Sequence, residues 1–571
     1  VNERLERLKK RVMIDHYPIC IEKYRITLDV IENNKNDPVI LQRAKILDET
    51  TKRMPIEIAP DELIVGIGAS KFMGLEIDPH YGIWNQDEID SLIEDGYIMD
   101  SKDVEDLQEL NKKYDPATMI GLQGDIFYEP ENQRILSLLK TGIILPPWKD
   151  KAVGRGVGGG YCQSGLGLGP SLVLLCVDYT KIIKEGTNGL IRQAEEELAK
   201  INFCQKEGVD KYRYYKSVIL SLKSINTLAG RYSALAAEMA GKERDEKRKA
   251  ELIEISSICA RVPMEPARTF REAMQSFWFQ FLMLSPSTTL PGGRFDQMMA
   301  PYYKADLKAG RITRDEAIEL LCLLRFKDME LNRTSGKNNR KKNAGMAKWH
   351  NFVIGGLKAD GADATNDLTY MMLEAAKITK VPHHTLTLRV HKNSPVELLT
   401  SALEVVKTGL GMPAFISDES YIKFFMDGGM PFSDAVEYVM TGCLDGNLPG
   451  KSRTGPVPMV TMPLIFDIFR HNGVNDKNGE QCGIQTGDFI KFNSYAELFE
   501  AWGKQLEYCL NIVGERNNVE LKITQELLPD PLRSALMFEG IESGTDTFRR
   551  TMPFENGASV CTVGMVNVGD S

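Results

Sequence analysis

The ten cysteines of this 571-residue chain form no C-x-x-C pair and no Cys/His group at metal-ligand spacing; they stand singly at 20, 162, 176, 204, 259, 322, 443, 482, 509 and 561. That scatter gives no sign of a zinc centre or a bound iron–sulfur cluster. A positively charged leader followed by an apolar stretch is missing as well, and no apolar run is long enough to span a bilayer. Unpaired thiols without a leader point to a reducing cytoplasm, with no membrane partner. Basic charge is also scarce. The formal net charge is −9 and the isoelectric point about 5.6, and the one basic run, KNNRKK at Lys337–Lys342, reads as a solvated loop. A nucleic-acid surface needs clustered Lys and Arg, so that partner class is excluded.

What is present is enough apolar residue for a large core: 43% hydrophobic against 26% charged. Residues 1–60 read as an amphipathic helical layer. Leu5, Leu8 and Val12 share one helix face, a second segment runs from Pro18-Ile19-Cys20 to about Asn33, and a third from Val39 to Arg53 stops ahead of Pro55. Asp61–Gly68 (DELIVGIG) reads as a strand, and the acidic stretch Asp78–Asp115 as an irregular solvated face. Helical patterns then cover Asp178–Glu197 and Lys211–Gln275. The run REAMQSFWFQFLMLS carries aromatics at core spacing. From residue 350 onward apolar strands and helices alternate (HNFVIGG, DLTYMMLEAAKIT, TLTLRV, PVELLTSALEVVKTG, PAFIS), the signature of parallel strands joined by crossovers. Further helices are expected over 463–472 and 495–520.

Two stretches are dense in glycine. Gly154–Gly169 (GRGVGGGYCQSGLGLG) lacks the Lys-Ser/Thr of a phosphate loop and the strand–helix context of a dinucleotide site. Its glycines suit either close approach of backbone to a ligand or an ordinary connection. The second is Tyr438–Lys451, YVMTGCLDGNLPGK. A strand-like lead-in, flanking glycines and a Pro-Gly exit place Cys443 on a tight loop at a strand end, with Asp445 two residues along. Positions i and i+2 of an extended strand share a face, so one bound molecule could meet both a sulfur reactant and a proton acceptor. A lone cysteine is more often packing than chemistry, and Arg294 and Asp296 in SPSTTLPGGRFDQMM are more simply a structural ion pair than a carboxylate clamp.

The stretch Gly442, Cys443, Leu444, Asp445, then Pro449, Gly450, Lys451 resembles the active-site finger loop of the glycyl radical enzymes, the pyruvate formate-lyase-like family. The resemblance continues through RAKILDETTKRMPIEIAPDELIVG, GGRFDQMMAPYY, GADATNDLTYMMLEA, LRVHKNSPVELLTSALEVVKTGLGMPAFISDE and VGMVNVGDS, in order over essentially the whole chain. It implies an α/β fold, a ten-stranded α/β barrel made of two antiparallel-arranged, five-stranded parallel half-barrels with helices outside, spanning residues 1–571 as one domain. It also implies catalytic roles for Cys443 and Asp445, with Asp445 in the place of the usual, longer Glu, and a buried thiol that reacts as a thiyl radical. Tyr161, Gln163, Ser164, Thr288 and Leu444 become substrate-binding candidates on the same ground.

No bound cofactor and no metal are implied. The family stores its radical on a glycine in a C-terminal Arg-Val-(Ser/Ala)-Gly-Tyr-like motif, installed by an S-adenosylmethionine-dependent iron–sulfur activating enzyme, and that motif is absent here, so the chain reads as C-terminally truncated. The implied partners are a small-molecule substrate, the activating enzyme and a second copy in a homodimer. Family members that cleave diols carry two histidines where Thr288 and Leu174 stand here, which favours an apolar pocket and a carbon–carbon lyase, a decarboxylase of an arylacetate-like acid. Addition of a hydrocarbon radical to fumarate, dehydration or another elimination, and an inactive scaffold are the alternatives.

Overall fold

The structure, a computed structural model, describes residues 3–80, 84–113, 119–127, 129, 132–143, 161–168, 173–287, 289–337, 340, 348–456, 459–555 and 560–571. The N-terminal layer follows its apolar spacing. The helix Glu3–Val12 buries Leu5, Leu8 and Val12, and the helix Val39–Arg53 ends one residue before Met54 and Pro55. Between them Ile19–Cys20 is a short strand, and the helix starts only at Glu22.

Fifteen strands are formed by the described residues: β1 (Ile19–Cys20), β2 (Leu75–Ile77), β3 (Tyr161–Gln163), β4 (Val173–Leu174), β5 (Gly293–Arg294), β6 (Arg333–Ser335), β7 (Asn351–Gly355), β8 (Thr385–Val390), β9 (Ala414–Ser417), β10 (Val439–Thr441), β11 (Asp445–Asn447), β12 (Ser452–Pro456), β13 (Met459–Thr461), β14 (Phe554–Glu555) and β15 (Cys561–Val563). β5, β7, β8 and β9 form one parallel sheet in that order, with crossover helices Asp367–Thr379 and Val396–Val406. This is the alternation read from residue 350 onward. A second four-stranded sheet, β1-β2-β3-β6, joins β1 and β2 in parallel and β2-β3 and β3-β6 antiparallel. β14-β12-β4 has three strands, and β13-β15 and β10-β11 are two-stranded.

The helix Phe270–Leu284 supplies the core behind the parallel sheet. Of its fifteen residues only Arg271 escapes burial, and Phe277 and Phe281 pack on Phe352 of β7 with ring centroids 5.7 Å apart. Fully burying such rings stabilises by about 1.5–3 kcal/mol each.

The stretch Asp61–Gly68 is not a strand. Its backbone groups are satisfied by side chains of the helices it crosses: Gln275 bonds both the N–H and the carbonyl of Val65 (2.9 and 2.8 Å), the Ile67 N–H donates to the Tyr232 hydroxyl (3.0 Å), and Trp278 Nε1 donates to the Gly66 carbonyl (3.1 Å). An apolar extended run needs partners for its backbone and not a neighbouring strand in particular. The acidic stretch after Asp78 is more regular than its charge suggests, forming the helices Gln86–Glu94 and Ser101–Lys113, which bury Ile89, Leu92 and Leu107. No described helix is long and apolar enough to cross a membrane.

Candidate active site

Tyr438–Lys451 folds as a β-hairpin. β10 and β11 pair antiparallel in the register Val439↔Asn447, Met440↔Gly446 and Thr441↔Asp445, leaving Gly442, Cys443 and Leu444 as the turn. Glycine is required at two points. Gly442 has φ +56°, and a Cβ there would stand 3.1 Å from Asp445 Oδ2. A Cβ on Gly446 would meet the Tyr421 ring at 3.0 Å and Phe425 at 3.2 Å. The first glycine lets the Asp445 carboxylate fold back over the turn, and the second lets the hairpin lie flat on two aromatic rings.

Both carbonyls bracketing the cysteine are gripped. Asn351 Nδ2, from the first residue of β7, donates to the Gly442 carbonyl, and the Tyr421 hydroxyl donates to the Leu444 carbonyl at 2.8 Å. Inside the hairpin, Asn447 Nδ2 donates to Thr441 Oγ1 (2.7 Å), whose hydroxyl donates to the Asp445 carbonyl (3.2 Å). The turn is thereby fixed on each side of Cys443 while its side chain is left unconstrained.

Cys443 is exposed, as is Leu444, whereas the stem from Tyr438 to Thr441 is buried apart from its lead-in at Glu437. This corrects the expectation of a buried thiol: the cysteine occupies the turn of the hairpin and its side chain is accessible. Its thiol pKa is nonetheless raised, first by partial desolvation, then by the negative charge of Asp445 and by the neighbouring Cys561, with Arg333 acting in the opposite sense. Cys561 opens β15 and is itself exposed, so two thiols stand within electrostatic reach of one another.

Arg333, which the sequence reading passed over, is a cation whose charge acts on this thiol. It lies in β6, is buried, and places its guanidinium 4.5 Å from the centroid of the Trp349 ring. The register pairs it with Gln163 of β3, so the two side chains share a face. Gln163 is buried and its Nε2 has no hydrogen-bond partner among the described residues, as is also true of Asn332 Nδ2 one residue before Arg333. Buried donors without partners are costly in a native structure, and at a reaction site they mark where a ligand's acceptors would go.

The other candidates divide. Leu174 and Thr289 border the turn, with their methyl carbons 3.7 and 3.5 Å from the position of a Cβ on Gly442. Thr288 lies outside the described residues, as does the side chain of Tyr161, whose backbone belongs to β3. Ser164 is committed to structure: its hydroxyl donates to the Gly74 carbonyl (2.5 Å) and accepts from the Asn332 N–H (3.1 Å). Arg294 does not pair closely with Asp296. It meets Glu437 at 3.0 Å and donates to the carbonyls of Val436, Gly355 and Leu357, while Asp296 accepts from the Gly355 N–H and the Thr369 hydroxyl. At the surface, Asp467, His471 and Asp476 bring possible ligand atoms within 4.8 Å of one another, an i,i+4 relation for the first two that the sequence reading did not single out.

A family model described as pyruvate formate lyase-like matches residues 1–571. The chain is similar to isethionate sulfite-lyase of Oleidesulfovibrio alaskensis, 27% identical over 549 residues that cover 91% of this chain and 62% of that protein. It is also similar to (2S)-3-sulfopropanediol dehydratase of Klebsiella oxytoca, 27% identical over 100% of this chain and 68% of that one. Among solved structures, glycerol-bound B12-independent glycerol dehydratase from Clostridium butyricum matches with a TM-score of 0.89 at 27% identity, over 100% of this chain and 70% of that chain. The shared fold is the ten-stranded α/β barrel, as expected from the alternation of strands and helices and from the resemblance. The chain spans less than two thirds of the length of the isethionate lyases it matches.

Proposed function

Because the chain belongs to the pyruvate formate lyase-like family of glycyl radical enzymes, we propose that it carries the thiyl chemistry of a cytoplasmic, anaerobic lyase that eliminates a leaving group from a small organic anion. The observation that carries this reading is the accessible Cys443 thiol on a hairpin turn with the Asp445 carboxylate folded over Gly442 beside it, a pair on which the charge of Arg333 also acts.

A glycyl radical on a glycine outside these 571 residues, installed by an S-adenosylmethionine-dependent activating enzyme, supplies the vacancy for one hydrogen atom. The fixed turn and the neutral, raised-pKa thiol of Cys443 fit that role, since hydrogen-atom transfer needs no thiolate. Cys443, as the thiyl, removes a hydrogen atom from the substrate carbon that bears a hydroxyl. Asp445 accepts the hydroxyl proton while the bond from the neighbouring carbon to its leaving group breaks. For a sulfonate the group departs as sulfite, and for a second hydroxyl Asp445 returns the proton and water departs. The Cys443 thiol then gives its hydrogen atom back to the product radical. Arg333, with the unpartnered Gln163 Nε2 behind it, holds the substrate's anionic end.

One observation favours a second reading. Leu174 and the methyl of Thr289 line the turn where polar groups would serve a diol, which suits decarboxylation of an arylacetate, with Arg333 on the carboxylate before it is lost. The activated protein, incubated without oxygen with isethionate, with 1,2-propanediol or with 4-hydroxyphenylacetate, separates the cases by release of sulfite, of propanal or of carbon dioxide. In the elimination reading Arg333→Gln raises KM with little change in kcat. Absence of all three products, with the glycyl radical present, would count against both readings.

A further inference from the structure

A cavity of about 400 Å³ opens at the opposite end of the same hairpin from the thiol. Glu437 precedes β10 and Leu448, Pro449 and Lys451 follow β11, so the two roots of the hairpin form one wall. Tyr179, Met298 and Tyr302 form much of the rest, giving a largely apolar interior. Arg294 reaches into this region from β5, donating to the carbonyls of Gly355 and Leu357 at the carboxyl end of β7. Crevices outside the carboxyl ends of parallel strands are where α/β sheets bind ligands.

The charges in the wall are uneven in their use. Lys451 is paired with Asp434 (2.6 Å) and Arg294 with Glu437 (3.0 Å), and the third carboxylate, Asp178, is turned back on its own chain, accepting from the Thr180 N–H (3.0 Å) and hydroxyl (2.7 Å). Arg294 Nε, although its residue is only 7% exposed, has no hydrogen-bond partner, and Lys184 at the rim has no acidic partner among the described residues. An unpaired ammonium at the rim of an apolar volume of this size matches a small organic anion that buries an apolar body and leaves its charged end at the mouth.

We propose that this cavity binds such an anion as an effector, and that its occupancy braces both roots of the hairpin and thereby changes the reactivity of Cys443 at the tip. The site is separate from the thiol, so the proposal does not depend on which reaction the thiol performs.

The test uses the full chain and 1-anilinonaphthalene-8-sulfonate, an apolar body with one anionic group. Saturable one-to-one fluorescence enhancement is expected, weakened about tenfold in Lys184→Glu, as loss of a charge-assisted contact plus repulsion implies, and abolished in Met298→Trp, which fills the volume. The rate of iodoacetamide labelling of Cys443, followed by peptide mass spectrometry to distinguish it from exposed Cys204 and Cys561, should change by about fivefold or more at saturation, the range of ordinary coupling between sites. Unaltered probe binding in folded Met298→Trp protein overturns the site. An unchanged Cys443 labelling rate at saturating probe overturns the coupling.

Discussion

Two carboxylates near the hairpin show how similar residues are put to different ends. Asp418 is fully buried and completely occupied: it accepts from Arg389 Nε (2.7 Å) and a second guanidinium nitrogen (3.1 Å), from the Tyr438 hydroxyl (2.8 Å) and from the Leu357 N–H (2.8 Å), and Arg389 lies 3.9 Å from the centroid of the Tyr438 ring. Asp445 sits at an accessible turn with its carboxylate over a glycine and beside a thiol. The first pair has no capacity left for a ligand and serves to lock β8 to the foot of β10. The second is only partly buried and has a thiol for a neighbour. Complete enclosure by a guanidinium, a phenol and a backbone N–H separates the structural carboxylate from the one placed beside a reactive group.

The comparison can be broken most severely at the thiol. Cys443→Ser should abolish turnover while leaving the circular dichroism spectrum, the melting temperature and the glycyl radical signal of the activated protein unchanged, because the radical resides elsewhere and the residue is exposed. Measurable turnover in that variant would remove the radical reading. Next in size, Asp418→Asn strips the charge that balances a wholly buried guanidinium and should cost about 3–5 kcal/mol in denaturant unfolding, the usual penalty for breaking a buried pair. A loss comparable to that of an exposed ion pair would mean that water reaches Arg389.

Asp445→Asn should leave unfolding nearly unchanged and lower kcat by about 100-fold or more, the contribution of a positioned acid/base group. Equal effects on stability from Asp418→Asn and Asp445→Asn would erase the distinction drawn here. The smallest effect concerns the thiol itself. Partial desolvation and the Asp445 charge both hold its pKa up while Arg333 opposes them. The pH midpoint of iodoacetamide labelling at Cys443 should therefore move down in Asp445→Asn and up in Arg333→Gln. Shifts of the same sign in both variants would show that these charges do not act on the thiol directly.

Much of the fold was legible in the chain because its signals are local. Apolar spacing located the helices Glu3–Val12, Val39–Arg53 and Tyr495–Leu527, and short β-branched runs bounded by turn residues located β7, β8 and β9. Asp61–Gly68 misled because an apolar extended run satisfied by helix side chains carries the same residues as one satisfied by a strand.

At the site, residue order was enough to place a cysteine and a carboxylate on a glycine-bounded turn, since glycine at a positive φ and period-two alternation are properties of a few consecutive residues. Sequence could not reveal that Arg333, 110 positions earlier by the numbering, comes near enough for its charge to act on that thiol, with Gln163 beside it, nor that Arg294 pairs with Glu437 in place of its near neighbour Asp296. It also could not show that Cys443 stands exposed. Pairing between distant segments and the depth of a side chain depend on how strands register and sheets close, and these are set by the summed packing of the whole core, a quantity no short window of residues contains.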